Sequence, residues 1–187
     1  MKVTLASLTF LFLILLGACG VNTSGMGDRK EQSGQVKVRL LDKDGHPGEP
    51  VWVDRVVKTD AEWRAMLTPE QYRITRKSGT EPAFCGTLLA SKKAGYYTCV
   101  CCDLPLFGSG TKFESGTGWP SFFEPIAKEN VVERADVSHD MIRAEILCAR
   151  CGAHLGHVFH DGPLPTRLRY CLNSAALTFH PAEPEKR

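Results

Sequence analysis

Apolar residues are distributed unevenly along the chain, and the changes in their spacing mark its parts. Leu8 to Leu16 is almost continuously apolar, follows a basic start at Lys2, and ends in Leu16-Gly17-Ala18-Cys19. A run this short is the apolar region of an export signal, not a membrane-crossing helix. Val21 to Gly34 is polar and rich in Gly, Ser, Asn, Asp and Lys, the composition of a solvated tether. From there two-residue alternation begins. Val36, Val38 and Leu40 alternate with Lys37 and Arg39, a half-buried strand pattern. A turn-rich stretch, Asp42 to Pro50, separates this strand from a second short one within Val51 to Val57. The pattern leaves open whether these strands belong to the main domain.

Helical spacing occurs next. Thr59-Asp60-Ala61-Glu62 has the form of a capping box and is followed by Trp63, Met66 and Leu67. Thr68-Pro69-Glu70-Gln71 repeats the signal, with Pro69 at the first helical position. Beyond Ile74, Gly and Pro punctuate the chain and helical periodicity is lost. Ile142, Ala144 and Ile146 alternate with polar or flexible neighbours, and Arg169–Leu177 and Thr178–His180 are strand-like. The expectation is a mainly β domain with short N-terminal helices. The expected boundaries are a signal at 1–18, a tether at 19–34, an N-terminal extension at 35–57, the main domain at 58–181 and a tail at 182–187.

Composition narrows the possibilities. The 187 residues are 43% hydrophobic, enough for a packed core. The net charge of +2, from 23 basic and 21 acidic residues, gives no electrostatic case for nucleic acid or for an acidic membrane surface.

Eight cysteines carry the candidate chemistry. Cys99-Val100-Cys101-Cys102 and Cys148-Ala149-Arg150-Cys151 are two Cys-x-x-Cys units, each able to turn two thiolates onto one metal ion. Together they predict a structural four-sulfur zinc site that pins two distant hairpins. The alternatives are redox pairs, or a pairing that involves Cys101. A thioredoxin-type redox pair opens a helix in a βαβ unit, and neither segment has that setting. Cys85 and Cys171 remain. On a strand Arg169, Cys171 and Asn173 share a face, and a guanidinium beside a thiol favours the nucleophilic thiolate. His154, His157 and His160 lie upstream. As imidazoles they can acidify a thiol or donate protons, though further metal ligation and core packing are also open to them.

The segment ending in Cys19 resembles the lipobox of bacterial lipoproteins. That resemblance implies cleavage before Cys19 and lipidation of Cys19, leaving the protein anchored to a membrane rather than spanning it. The implied location is the cell envelope, at the outer membrane facing the periplasm if the cell is Gram-negative.

A second resemblance covers about 120 residues. Gly79-Thr-Glu-Pro-Ala-Phe84, Tyr97-Thr-Cys-Val-Cys-Cys-Asp103, Ser115-Gly-Thr-Gly-Trp-Pro-Ser-Phe122, Cys148-Ala-Arg-Cys-Gly-Ala-His-Leu-Gly-His-Val-Phe159 with Asp161-Gly-Pro163, and Arg169-Tyr-Cys-Leu-Asn-Ser-Ala175 occur in the order seen in the methionine-R-sulfoxide reductases. The family resemblance implies two facing antiparallel sheets, a tent-like β fold, with zinc away from the catalytic thiol. It places the nucleophile on Cys171, active-site histidines on His154 and His157, further site residues on Arg169 and Asn173, the aromatic wall of the substrate site on Trp119, and a supporting carboxylate on Asp161. It implies reduction of methionine-R-sulfoxide in oxidised proteins or peptides through a Cys171 sulfenic acid, by a protein that acts as a monomer. Many members carry a recycling cysteine where this chain has Thr117. Some members that lack it have a cysteine at the position of Cys85, which makes Cys85 the expected resolving thiol, with Cys101 or an external thiol as alternatives. A thioredoxin-like donor, exported or membrane-tethered, would then reduce the disulfide.

Two other classes compete. A non-catalytic, zinc-pinned β binding module would not need Cys171, Arg169 and the histidines together. A disulfide reductase or isomerase would need a Cys-x-x-Cys at a helix start.

Overall fold

The structure is a computed structural model that describes residues 34–42, 45–138 and 141–182. The expected export signal, Cys19 and most of the expected tether lie outside the described residues. The strands are β1 (Gln35–Val38), β2 (Val51–Asp54), β3 (Gly95–Cys99), β4 (Pro105–Gly108), β5 (Lys112–Phe113), β6 (Ser121–Phe122), β7 (Val131–Asp136), β8 (Arg143–Cys148), β9 (His154–Phe159), β10 (Arg169–Leu172) and β11 (Leu177–Pro181). Two helices, α1 (Asp60–Met66) and α2 (Pro69–Lys77), precede β3.

Both helices start where the capping boxes predict. The Glu62 amide donates to Thr59 Oγ1 at 3.3 Å, and the Thr59 amide donates back to Glu62 Oε2 at 2.7 Å. Thr68 and Gln71 repeat the exchange at 3.2 and 3.0 Å. Each box satisfies amides that a helix start otherwise leaves without partners. Trp63, Leu67, Tyr72 and Ile74 then turn one face of the pair into the core.

The strands form three antiparallel sheets. One has six strands in the order β5-β6-β10-β9-β8-β7, one has three in the order β11-β3-β4, and one is the hairpin β1-β2. The two larger sheets meet through aromatic rings. Tyr97 of β3 packs edge-on against Phe122 of β6 at 5.0 Å, and Phe107 of β4 lies 4.8 Å from Phe122 and 5.4 Å from Tyr170 of β10. Tyr97, Phe107 and Phe122 are fully buried, and rings of this size dominate the stabilisation of a core this small. The family resemblance implies the facing pair; the third sheet comes from residues 35–54.

That third sheet is docked on the domain. Val36 and Val38 enter the core, and β1 stops there, so Leu40 is exposed rather than part of the strand. Asn130, fully buried, accepts from the Arg39 amide at 2.8 Å and donates to the carbonyls of Arg39 and Pro105 at 2.7 Å each. After β2 the Val56 amide donates to the Arg150 carbonyl at 3.0 Å and Arg55 Nη1 to the Ala149 carbonyl at 3.0 Å. Both acceptors lie between Cys148 and Cys151, so the hairpin braces that turn.

The stretch Arg169–Leu177 is not one strand. β10 ends at Leu172, a 3-10 turn occupies Ser174–Ala176, and β11 begins at Leu177 in the other sheet. The turn carries the chain across the core, a move that an alternating pattern does not reveal.

Candidate active site and metal site

The two Cys-x-x-Cys units sit at turns, one between β3 and β4 and the other between β8 and β9. The sulfur atoms of Cys99, Cys102, Cys148 and Cys151 all lie within 4.8 Å of one another. Cys99 Sγ is 3.6 Å from Cys151 Sγ, and Cys102 Sγ is 3.5 Å from Cys148 Sγ. A tetrahedron of sulfurs around a metal at about 2.3 Å has edges of roughly 3.8 Å, so the cradle fits such an ion. The electrostatics agree. Cys101 and the cluster thiols push the Cys99 thiol far up, while hydrogen bonds from Cys148, Cys151 and Cys99 pull Cys102 far down. Thiols this close cannot all ionise without a cation among them. Gly152 takes the left-handed conformation, φ 67°, that closes the second turn, and its amide donates to the Cys148 carbonyl at 2.9 Å. Cys101 is buried beside the cradle without being one of the four.

Cys171 occupies a different setting. It lies in β10, directly opposite His157 of β9 and Ser121 of β6. Paired residues share a sheet face, so Cys171 and Arg169 stand with His157 and Phe159 on the side away from the Phe122–Tyr170 core. A cavity of about 120 Å³ opens there, and its walls include Cys171, Trp119, His157, Phe159, Asn173 and Arg143. None of the four clustered cysteines lines it. A second, more polar cavity of about 480 Å³ shares Thr80, Arg143 and His157 with the first.

His154 and His157 reach this face together because of a bulge. Three residues apart on a regular strand they would point to opposite sides. Ile146 pairs with Gly156 and Leu147 with His154, which leaves Leu155 as the extra residue, with its side chain in the core. The imidazole rings consequently meet edge to face at 5.5 Å. Gly156 permits the tight pairing beside the thiol, since a Cβ there would sit 2.0 Å from the Cys171 carbonyl oxygen.

Arg169 is held rigidly. Its Nε and Nη2 donate to the two oxygens of Asp161 at 2.8 and 2.9 Å, and its guanidinium lies 4.4 Å from the Phe159 ring. Its effect on Cys171 is smaller than the sequence suggests. Burial raises the thiol, the Thr117 hydroxyl and Arg169 lower it, and the net shift is upward, so the resting group is a thiol. Asp161 already neutralises much of the guanidinium charge. Asn173 departs from the expected geometry as well. It lies beyond β10, and its amide is engaged at both ends: Oδ1 accepts from the Glu81 amide at 2.9 Å and Nδ2 donates to the Leu155 carbonyl at 3.1 Å.

Several site residues go unnoticed in the sequence. Thr117, notable there only for not being cysteine, lies with its hydroxyl 3.9 Å from Cys171 Sγ, at the end of a hydroxyl chain through Ser115 to Ser121. Glu81 is buried and ties the site together. Its carboxylate accepts from the Ser174 and Ala175 amides at 2.6 and 3.1 Å, and its carbonyl accepts from Trp119 Nε1 at 3.0 Å. The Gly79–Phe84 motif was the available signal. Glu145 and Asp136 contact the two histidines at 2.6 and 2.7 Å, and periodicity alone does not distinguish them from solvent-facing strand residues. Cys85 is an exposed free thiol. Its neighbour Phe84 donates its amide to the Gly118 carbonyl at 2.8 Å, so the Cys85 segment lies against the loop that carries Thr117 and Trp119.

Four thiols gathered into a cradle that suits a metal, and a separate half-buried thiol paired with an imidazole across the sheet, define the class as a β scaffold suited to thiol redox chemistry. The SelR domain family matches residues 67–181. Proteins named peptide methionine sulfoxide reductase MsrB are similar to the chain over most of their own length. That of Hahella chejuensis is 58% identical over 131 residues, covering 70% of this chain and 94% of the relative. That of Pseudomonas putida is 57% identical over 131 residues, covering 70% and 98%, and that of Thiobacillus denitrificans 59% over 126 residues, covering 67% and 96%. The chain therefore belongs to the SelR-domain family of peptide methionine sulfoxide reductases and is an oxidoreductase.

Proposed function

We propose that the protein reduces methionine-R-sulfoxide in oxidised proteins and peptides, with Cys171 as the attacking thiol. The observation that carries this reading is the position of Cys171 in a small cavity between Trp119 and Phe159, opposite His157. The aromatic walls suit the methyl end of the side chain, and the imidazole suits the sulfoxide oxygen. Fixing methyl, oxygen and nucleophile together selects one epimer. Attack on the sulfoxide sulfur ends with its S–O bond broken, the oxygen on Cys171 Sγ as sulfenic acid, and the thioether released. The two electrons gained by the substrate are those lost by the thiol, whose proton stays with the oxygen.

Cys85 then condenses with the sulfenic acid to give a disulfide and water. The contact of its segment with the Thr117 loop supports the assignment. A dithiol donor of the thioredoxin type reduces the disulfide by exchange, and outside the cytoplasm such a donor is itself exported or membrane-tethered. Zinc suits the four-sulfur cradle of Cys99, Cys102, Cys148 and Cys151, where it would hold two hairpins together.

One experiment tests substrate and resolution together. Each epimer of a methionine sulfoxide peptide is offered to wild-type and Cys85→Ser enzyme. The R epimer alone should be reduced, and Cys85→Ser should release about one methionine per chain and then stall with thioredoxin as donor. Reduction of the S epimer overturns the substrate assignment, and continued thioredoxin-driven turnover removes Cys85.

The location reading is lipidation at Cys19 and anchoring in the cell envelope, where oxidants strike membrane-proximal methionines. Cys19→Ser should move the protein from the membrane to the soluble fraction. A wild-type protein found soluble in the cytoplasm would defeat this reading.

A further inference from the structure

Two acidic residues outside the set assigned so far stand behind the histidines. Glu145 Oε1 lies 2.6 Å from His154 Nδ1, and Arg134 Nε donates to the other Glu145 oxygen at 2.9 Å. Asp136 Oδ2 lies 2.7 Å from His157 Nε2 and accepts from Arg143 Nη2 at 2.7 Å, while Asp136 Oδ1 accepts from the Ser138 amide at 2.9 Å. Each unit is a cation, a carboxylate and an imidazole in series, set across β7, β8 and β9.

The two units differ in where their imidazoles face. His157 lines the thiol cavity; His154 lines the neighbouring polar cavity. A carboxylate on a ring nitrogen takes that nitrogen's proton as a hydrogen bond, so His154 carries hydrogen on Nδ1 and His157 on Nε2. His154 Nε2 is then a lone pair, and it is buried without a hydrogen-bond partner among the described residues. His157 is left with Nδ1 as the ring nitrogen available to the thiol cavity.

We propose that Asp136 and Glu145 are positioning residues that divide the work of the two histidines, Asp136 making His157 the proton carrier for the sulfoxide oxygen and Glu145 holding His154 as a neutral ring beside it. The inference rests on the reductase reading of the site. Hydrogen bonds from Ser138, followed by that with His157, hold the Asp136 carboxyl well below the usual range, so it stays ionised where it meets the His157 ring. Burial lowers His154 more than Glu145 raises it, and Glu145 itself is kept ionised by Arg134 and His154 against its own burial. A neutral His154 avoids a second positive ring 5.5 Å away, which would oppose protonation of His157. Among the described residues, the other charged or titratable groups on the strands paired with His157 are Arg143 and Glu145 on β8 and Arg169 with Cys171 on β10, with Asp161 behind Arg169. The proton balance closes through this ring. Cys171 starts as a thiol and the departing oxygen needs one proton, so His157 passes one proton to the oxygen and regains one from the thiol.

Asp136→Asn is nearly isosteric and removes the charge. It should lower the single-turnover rate of methionine formation about 100-fold with a much smaller change in KM. Asp136→Glu should recover part of the rate. Nitrogen-15 NMR of the wild-type imidazoles should find His154 protonated on Nδ1 alone and neutral His157 protonated on Nε2. A wild-type rate in Asp136→Asn, or the opposite tautomers in the wild type, would overturn the inference. Failure of the wild type to reduce any sulfoxide would instead remove the reductase reading, and the NMR result would stand apart from it.

Discussion

Cys171→Ser is expected to abolish sulfoxide reduction, by at least about 10⁴-fold, the scale on which removal of a nucleophile acts. The substitution changes one atom. Serine fits β10, keeps its pairing with His157 and leaves the metal cradle untouched. What it removes is a sulfur able to give up its proton during attack and to accept an oxygen while losing two electrons, and an alcohol does neither. Metal content should remain near one ion per chain and the thermal midpoint should change by only a few degrees. Measurable turnover of the serine variant, with its identity checked by mass spectrometry, would refute the assignment. Thr117→Ala offers a graded comparison. The hydroxyl 3.9 Å from the sulfur lowers the thiol, so its removal should slow attack modestly rather than stop it.

Metal removal should have the largest effect on stability. The cradle joins the β3–β4 turn to the β8–β9 turn, and the sequence between Cys102 and Cys148 contributes β4 to β8. Structural zinc in small domains contributes about 10–16 kcal/mol of apparent binding energy, comparable to the roughly 5–15 kcal/mol by which an ordinary domain is stable at all. Loss of even about 5 kcal/mol lowers the midpoint of a domain this size by roughly 10–20 °C. Chelation, or Cys148→Ser, should therefore give a much lower midpoint in circular dichroism melting and loss of activity, which added zinc restores in the chelated wild type. Cys101→Ser should retain the metal, because Cys101 is not among the four close sulfurs. An unchanged midpoint in protein shown by elemental analysis to be metal-free would disprove the structural role. The bracing of the Cys148–Cys151 turn by Arg55 and Val56 adds contacts from residues outside the SelR match, so the hairpin is part of what keeps the turn in place.

The parts of the fold legible in the sequence are those governed by local chemistry. Both helix starts follow from side chains that must satisfy nearby amides within three residues, and the two metal-binding turns follow from a two-residue gap between thiols. The break after Leu172 is different. Arg169 to Leu177 alternates acceptably as one strand, and only the need to carry the chain from one sheet to the other, with Glu81 accepting at the start of the 3-10 turn, decides that it is two.

By itself the sequence determined which residues can carry chemistry: spare thiols at Cys85 and Cys171, the upstream histidines His154, His157 and His160, an arginine and four sulfurs spaced for a metal, with the family resemblance singling out Cys171, His154 and His157 among them. Spacing and composition suffice for this because ligand geometry and helix capping act over a few residues. The tertiary structure decided how these groups are tuned. The bulge at Leu155 brings His154 and His157 to one face, Asp161 claims Arg169, and burial outweighs that arginine at Cys171. It also supplied Glu81, Asp136 and Glu145, whose partners lie far along the chain or across the sheet. Desolvation and ion pairing depend on what surrounds a group in three dimensions, so the charge state of Cys171 is a property of the folded site.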